Sequence, residues 1–289
     1  MAKILAVGIA TLDIINTVDS YPSEDTEVRA LCQRQVRGGN ATNTLVVLSQ
    51  LGHQCHWAGV LIDEPDSAII QQELTQFNID SSACRIITDG KMPTSYISVS
   101  QETGSRSIVH YRDCPEFSFA DFEKIDLTQF DWIHFEGRNI EQTALMLQYI
   151  NKHHRSIPCS LEVEKPRAGI ETLFSLPSIL MFSQDYAVAH HHKTAQELLS
   201  SLAKEIVASC TWGKQGAWAI NKEQHLFHSK TYDPDNVVDT LGAGDTFNAA
   251  FIDGLLNKLE LSQALIQACE LAGRKCGQQG LMNLVSKIE

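Results

Sequence analysis

Over most of its 289 residues the chain alternates apolar runs of strand length with stretches of helical period. Runs at 4–7, 132–135, 160–163, 179–182, 206–211 and 217–220 read as strands. Stretches 41–51, 66–77, 142–153, 195–204, 245–257 and 262–277 read as helices. Strands that alternate with helices argue for a mostly parallel sheet covered on both faces, a three-layer α/β/α architecture. In such sheets ligands bind beyond the carboxyl ends of the strands. Asp13, Glu136-Gly137-Arg138-Asn139, Glu164-Lys165 and Thr211 all follow predicted strands, so they can converge on one edge. Two stretches break the pattern: 28–36 reads extended, and 95–111 reads as a hairpin turning at 101–105. Neither has a neighbouring helix to cover it. The expectation is one domain over 1–289, with a small β-sheet lid built from about 12–37 and 91–115. The uncovered apolar face of that lid suits pairing with a second copy, a homodimer.

Composition removes several partners. A net charge of −12 and a pI near 5.3 argue against nucleic acid and anionic membrane, both of which need a basic face. The first apolar run ends at Gly8 and is too short for a signal peptide or a membrane span. Eight cysteines are scattered without CxxC pairs, which points to a reduced, cytoplasmic protein. His190-His191-His192 reads as a solvated run in a polar loop rather than a metal site.

The chemistry is concentrated in Asp239-Thr240-Leu241-Gly242-Ala243-Gly244-Asp245 and the apolar helical segment that follows. Glycines at 242 and 244 open a helix whose unpaired first N–H groups, with the positive end of the dipole, attract an anion such as phosphate. Asp245 beside that hole would repel phosphate unless its task is to take a proton; as an N-cap it would be unremarkable. Anion hole plus carboxylate is what phosphoryl transfer to a hydroxyl requires. On the acceptor side, Asp13, Asp25, and Gly39, Asn40 and Asn43 from Arg37-Gly38-Gly39-Asn40-Ala41-Thr42-Asn43 supply carboxylates and amides suited to a polyol. Gly38 and Gly39 are expected to let a sugar ring approach the backbone.

The run 239–252 resembles the C-terminal signature of the ribokinase-like, PfkB-type carbohydrate kinases. Asp121–Phe130, Trp132–Asn139, Glu162–Arg167, Gly104-Ser105-Arg106 and Cys276–Gly280 narrow the resemblance to the ketohexokinase branch of that family, nearly from end to end. The resemblance implies an ATP-dependent kinase for a ketohexose, D-fructose to fructose 1-phosphate. It implies that Asp13, Asp25, Gly39, Asn40, Asn43 and Asp245 hold the sugar, and that Arg106 reaches the transferring phosphate from the lid. It also implies that Gly242, Ala243 and Gly244, with the TxGxxG loop of Thr211, Gly213 and Gly216, hold the nucleotide. An apolar adenine site bounded by the helix at 262–276 is expected. Mg²⁺ must screen the triphosphate, yet the family's Asn-x-x-Glu motif is absent from Phe182-Ser183-Gln184-Asp185-Tyr186-Ala187. Glu136, Glu162 and Glu164 are the substitutes through water, and K⁺ near the Asp239 loop is conceivable by analogy. Three alternatives stay open: a kinase for another sugar or nucleoside, a sugar-phosphate kinase using Arg29, Arg34 and Arg37, and a non-catalytic sugar-binding protein on the same scaffold.

Overall fold

The computed structural model describes residues 1–285. It begins β1 (Lys3–Val7), β2 (Thr11–Val18), β3 (Cys32–Gly38), α1 (Asn40–Gln50), β4 (Gln54–Ala58), β5 (Val60–Ile62) and α2 (Pro65–Gln76). Then come β6 (Ile79–Asp80), β7 (Arg85–Ile87), β8 (Lys91–Ser100), β9 (Arg106–Asp113), α3 (Phe119–Phe122), β10 (Trp132–Glu136) and α4 (Ile140–His153). The last part holds β11 (Cys159–Val163), β12 (Ile179–Phe182), α5 (Gln184–Ala189), α6 (Ala195–Ser201) and β13 (Val207–Thr211). It closes with β14 (Ala217–Ile220), β15 (Leu226–Ser229), α7 (Ala243–Leu256) and α8 (Leu261–Cys276).

Nine strands form the main sheet in the order β15-β14-β13-β12-β11-β10-β1-β4-β6. It is parallel except for the β13–β14–β15 meander at one edge. Helices cover both faces because the strands are apolar on both, as the near-continuous burial of Ile133, Phe135, Leu161, Val163 and Leu180 shows. One face packs on α1, α7 and α8 through Leu45, Val46, Phe251 and Leu265. The other packs on α4, α5 and α6 through Met146, Ile150, Tyr186 and Leu199.

A separate four-stranded sheet, order β3-β2-β8-β9, arises from the two stretches that lacked covering helices. Its hairpin turns where the sequence indicated, with Gly104 N–H donating to the Ser100 carbonyl at 2.8 Å. Residues 28–31 stay outside it, since β3 starts at Cys32. The helix expected over 195–204 stops at Ser201, because Leu202 is already extended (φ −70°, ψ 151°). Polar residues hid β2 and β4: Asp13 and Asn16 interrupt one, Gln54 and His56 the other.

Candidate active site

Strand order reverses beside β1: the chain builds outward to β4 and β6, then returns to place β10 on the other flank. The connections that leave the paired carboxyl ends of β1 and β10 therefore run in opposite directions, and a cleft of about 510 Å³ opens there. The four-stranded sheet closes one side, with Ser95, Ile97, Arg106, Ile108 and His110 facing inward.

Helix α7 points its N-terminus into this cleft. Gly242 is the N-cap in left-handed conformation (φ 81°), and no side chain caps the helix. Gly242 and Gly244 line the cleft, and a Cβ on Gly244 would meet nothing within 4 Å. The first-turn N–H groups thus face a space large enough for an anion. Asp245 does not cap the helix. Its buried carboxylate (6 % exposed) accepts from Asn43 Nδ2 at 2.7 Å, joining α7 to the first turn of α1. Burial raises its pKa to about 7; the Asn43 bond opposes that rise, Glu164 and Glu136 add to it, and Arg37 counters them.

Three more carboxylates stand at the strand ends. Glu136 closes β10 and accepts from the Ile9 N–H at 3.0 Å. Glu162, on β11, accepts from Asn248 Nδ2 at 3.0 Å, while its buried Oε2 has no partner. Burial, then Asp245, Glu164 and Glu136, push the Glu162 carboxyl well above its usual range. Glu164 accepts from Asn40 Nδ2 at 3.1 Å. Asp13, on β2, accepts from Thr11 Oγ1 at 2.8 Å, and burial raises it too. Cations face this cluster: Arg106 donates from β9 to Thr240 Oγ1 at 3.3 Å, and Lys165 lies 3.6 Å from Glu164.

The structure thus brings together Asp13, Gly39, Asn40, Asn43, Arg106, Thr211, Gly242, Gly244 and Asp245. Ala243 is the first residue of α7, beside them. Asp25 is not among them. It sits exposed at φ 59° in the coil between β2 and β3, outside the cleft, because nothing packs that coil down. Gly213 and Gly216 also lie off the cleft; Gly216 is required where its chain meets the Ser229 carbonyl, 2.0 Å from a notional Cβ. Gly38 has a different reason from the one expected: a Cβ there would meet Asp13 Oδ2 at 2.2 Å, so the close neighbour is a carboxylate. Arg37 is buried and engaged, unavailable for a phosphate in the cleft. His190 stacks on Tyr186 with centroids 4.2 Å apart, and all eight cysteines are free.

Sequence reasoning missed two residues here. Asn248 lies three after Asp245, so helical spacing places it on the same face, and that was readable. Lys275 was not. Its ammonium is fully buried, donating to the Asp239 carbonyl at 2.7 Å and lying 3.1 Å from the carboxylate. Asp239 also accepts from the Leu241 and Gly280 N–H groups, so the oxygens considered for K⁺ already hold a cation of the chain.

The family described as pfkB family carbohydrate kinase matches residues 1–288. This chain belongs to it. It is an ATP-dependent carbohydrate kinase with a ribokinase-like fold. Among its relatives, the ketohexokinase of Mus musculus is 41% identical, over 98% of this chain and 99% of that one. The ribokinase of Bacillus subtilis is 24% identical, over 100% and 99%. Two solved structures share the fold. The ribokinase of Giardia lamblia superposes with a TM-score of 0.84 at 16% identity, covering 99% of this chain and 97% of its own. The ribokinase of Arabidopsis thaliana, complexed with ribose and ATP, gives 0.80 at 18%, covering 96% and 94%. Among the described residues no helix is long and apolar enough to cross a membrane.

Proposed function

We propose that this kinase phosphorylates a ketohexose, D-fructose to fructose 1-phosphate, with Asp245 taking the proton of the attacking hydroxyl. One observation carries the reading: a buried carboxylate stands in the uncapped first turn of a helix, bonded to an amide of the sugar-side helix, and burial pushes it up to about 7. The 41% identity to mouse ketohexokinase supports the choice of sugar. In this reading Asp13, Gly39, Asn40, Asn43 and Asp245 hold the ketose, while the Gly242–Gly244 amides receive the γ-phosphoryl group. Asp25 could join only if the coil between β2 and β3 moved inward. Arg106 counters charge on the transferring oxygens. Thr211, Gly213 and Gly216 belong to the nucleotide side, and the adenine to an apolar site against α8.

An ordinary Asp, near 3.9 in reference peptides, is a weak base for an alcohol. Raised by its site, Asp245 is a better one, and the loose transition state lets the proton leave late. Positioning and preorganised charge supply most of the acceleration.

The acids fit a magnesium ion. Glu162 presents a buried, unpartnered oxygen to the cleft, with Glu164 and Glu136 beside it. Mg²⁺ needs one or two carboxylates besides phosphate oxygens and water. Glu162 and Glu164 would hold it, directly or through water, and when bound it neutralises triphosphate charge. A sugar-phosphate acceptor finds less support: Arg37 is buried, Arg34 lies 3.8 Å from Asp239, and Arg29 is exposed. A non-catalytic protein would have no use for Asp245 in this setting.

We further read residues 1–289 as one kinase unit working in the cytoplasm, with the four-stranded sheet as its lid and a second copy on the lid's outer face. That face exposes Tyr96, Val109 and Tyr111.

ADP release with Mg-ATP against D-fructose, other ketohexoses, ribose, adenosine and fructose phosphates tests the substrate. Turnover confined to another acceptor would replace D-fructose while leaving the base and anion hole in place. Asp245→Asn should lower kcat at least about 10³-fold while ATP still binds; a near-normal rate would end the base assignment.

A further inference from the structure

Behind the cleft lies an arginine that touches neither sugar nor phosphate. Arg37 lines not the 510 Å³ cleft but a neighbouring cavity of about 400 Å³, and its side chain is only 1% exposed. It occupies the last turn-facing part of β3 before Gly38 and is held from two sides. Glu73, on α2, accepts from its Nη2 at 3.1 Å and from its backbone N–H at 3.0 Å. On the other side Nη1 donates to Thr42 Oγ1 at 2.6 Å and to Asn43 Oδ1 at 3.0 Å.

The second of these bonds decides the orientation of an amide. A guanidinium only donates, so the Asn43 atom facing Arg37 must be oxygen. The amide nitrogen then faces the other way, and there it meets Asp245 at 2.7 Å. Were the amide turned over, an N–H would confront the guanidinium and an oxygen would confront the carboxylate, two repulsive contacts in place of two bonds. Thr42 cannot release Arg37 either, because its own hydroxyl proton is directed at the Gly38 and Gly39 carbonyls, 2.9 and 3.0 Å away.

We infer that Arg37 is a positioning residue for phosphoryl transfer: it locks the Asn43 amide so that Asn43 can only donate to the catalytic carboxylate, fixing Asp245 in place and in its ionised form. The inference rests on Asp245 being the base. A chain of bonds Glu73–Arg37–Asn43–Asp245 then links α2 to the reacting group. Electrostatics agrees in direction, since Arg37 and the Asn43 bond both oppose the rise that burial, Glu164 and Glu136 impose on Asp245. The charged groups around Asp245 are Glu136 from β10, Glu162 from β11, Glu164 just after it, Arg37 from β3, and Arg106 and Lys165 across the cleft.

The test is kcat against pH, with D-fructose or whichever acceptor the panel identifies, for wild type, Arg37→Gln, Asn43→Ala and the double variant. Each single variant should lower kcat about 10- to 100-fold at neutral pH. Each should also move the acidic limb upward by about one pH unit, with part of the lost rate recovered in alkali. The double variant should be no worse than the poorer single one, because both break one chain. Arg37→Lys keeps the buried charge but cannot span Asn43, Thr42 and Glu73 together, so it should restore melting temperature more than kcat. An unmoved acidic limb, additive losses, or a defect confined to KM would overturn the role. If Arg37→Gln does not fold, Asn43→Ala alone decides, since it leaves the Arg37–Glu73 pair intact. Asp245→Asn separates the two assignments. If it keeps its rate, the base and Arg37's role fall together; if it is dead and the limb is unmoved in the other variants, only Arg37's role falls.

Discussion

Asp245, proposed above as the base, carries a stability signature of its own. A carboxylate near 7 in the folded protein and near 3.9 in the unfolded chain binds its proton more tightly when folded. Its contribution is therefore fully present below the unfolded value and lost as pH rises through 7. From pH 5.5 to 8 that loss should reach about 2 kcal/mol in the ligand-free protein. Glu162 and Asp13 are raised in the same direction, so each likewise favours the folded protein at lower pH. Asp245→Asn should thus stabilise the protein more at pH 8 than at pH 5.5, read as the difference between two pairs of thermal melts. An equal gain at both pH values would mean that the carboxylate is not strained by ionisation. Asp245 and Asn43 were legible in sequence because glycine spacing and helix polarity fix where a first turn points. Arg37 was not, since nothing local tells a buried guanidinium from a solvated one. Asp25 stands apart: its spacing suits a substrate loop, but the coil around it lies exposed and outside the cleft.

Among the elements, the loop before α7 matters most, and what holds it comes from a distant helix. Lys275, near the end of α8, reaches Asp239, whose carboxylate also takes the N–H groups of Leu241 and Gly280. These contacts hold Asp239 below the usual carboxylate range although burial alone would raise it. Lys275→Met leaves a half-buried carboxylate short of its cation, so it should destabilise the protein by about 2–4 kcal/mol. Urea unfolding measures that loss, and a raised KM for ATP should accompany it, because the anion-hole loop loses its tether. Normal stability would show that Arg34, 3.8 Å away, takes over the charge. The helices and central strands of this scaffold could be read from period alone. Strand β2 could not, because Asp13 and Asn16 sit where a buried strand shows aliphatics; Asp13 lines the cleft and Asn16 accepts from Gln33 on β3.

At the scale of the molecule, the four-stranded sheet has two faces with different surroundings. Along β9, Arg106, Ile108 and His110 look into the cleft while Val109 and Tyr111 look out. If a second copy covers the outer face, Val109→Lys with Tyr111→Lys should give a monomer, measured by light scattering behind a sizing column. A protein already monomeric before substitution would remove the dimer reading without touching the kinase one.

The alternation along β9 also governs which length changes this chain can absorb. Residues 101–105 form the turn beyond the last ladder pair, Val99 and Arg106, so extra residues there leave the alternation along β9 unchanged. One residue inserted between Arg106 and Tyr111 is another matter. With period two, it would exchange inward and outward positions over the rest of the strand, spoiling cleft and outer face at a stroke. Variation in the length of this hairpin should therefore collect at its tip, and a library of single-codon insertions scored for activity should show β9 as a silent gap beside a permissive turn.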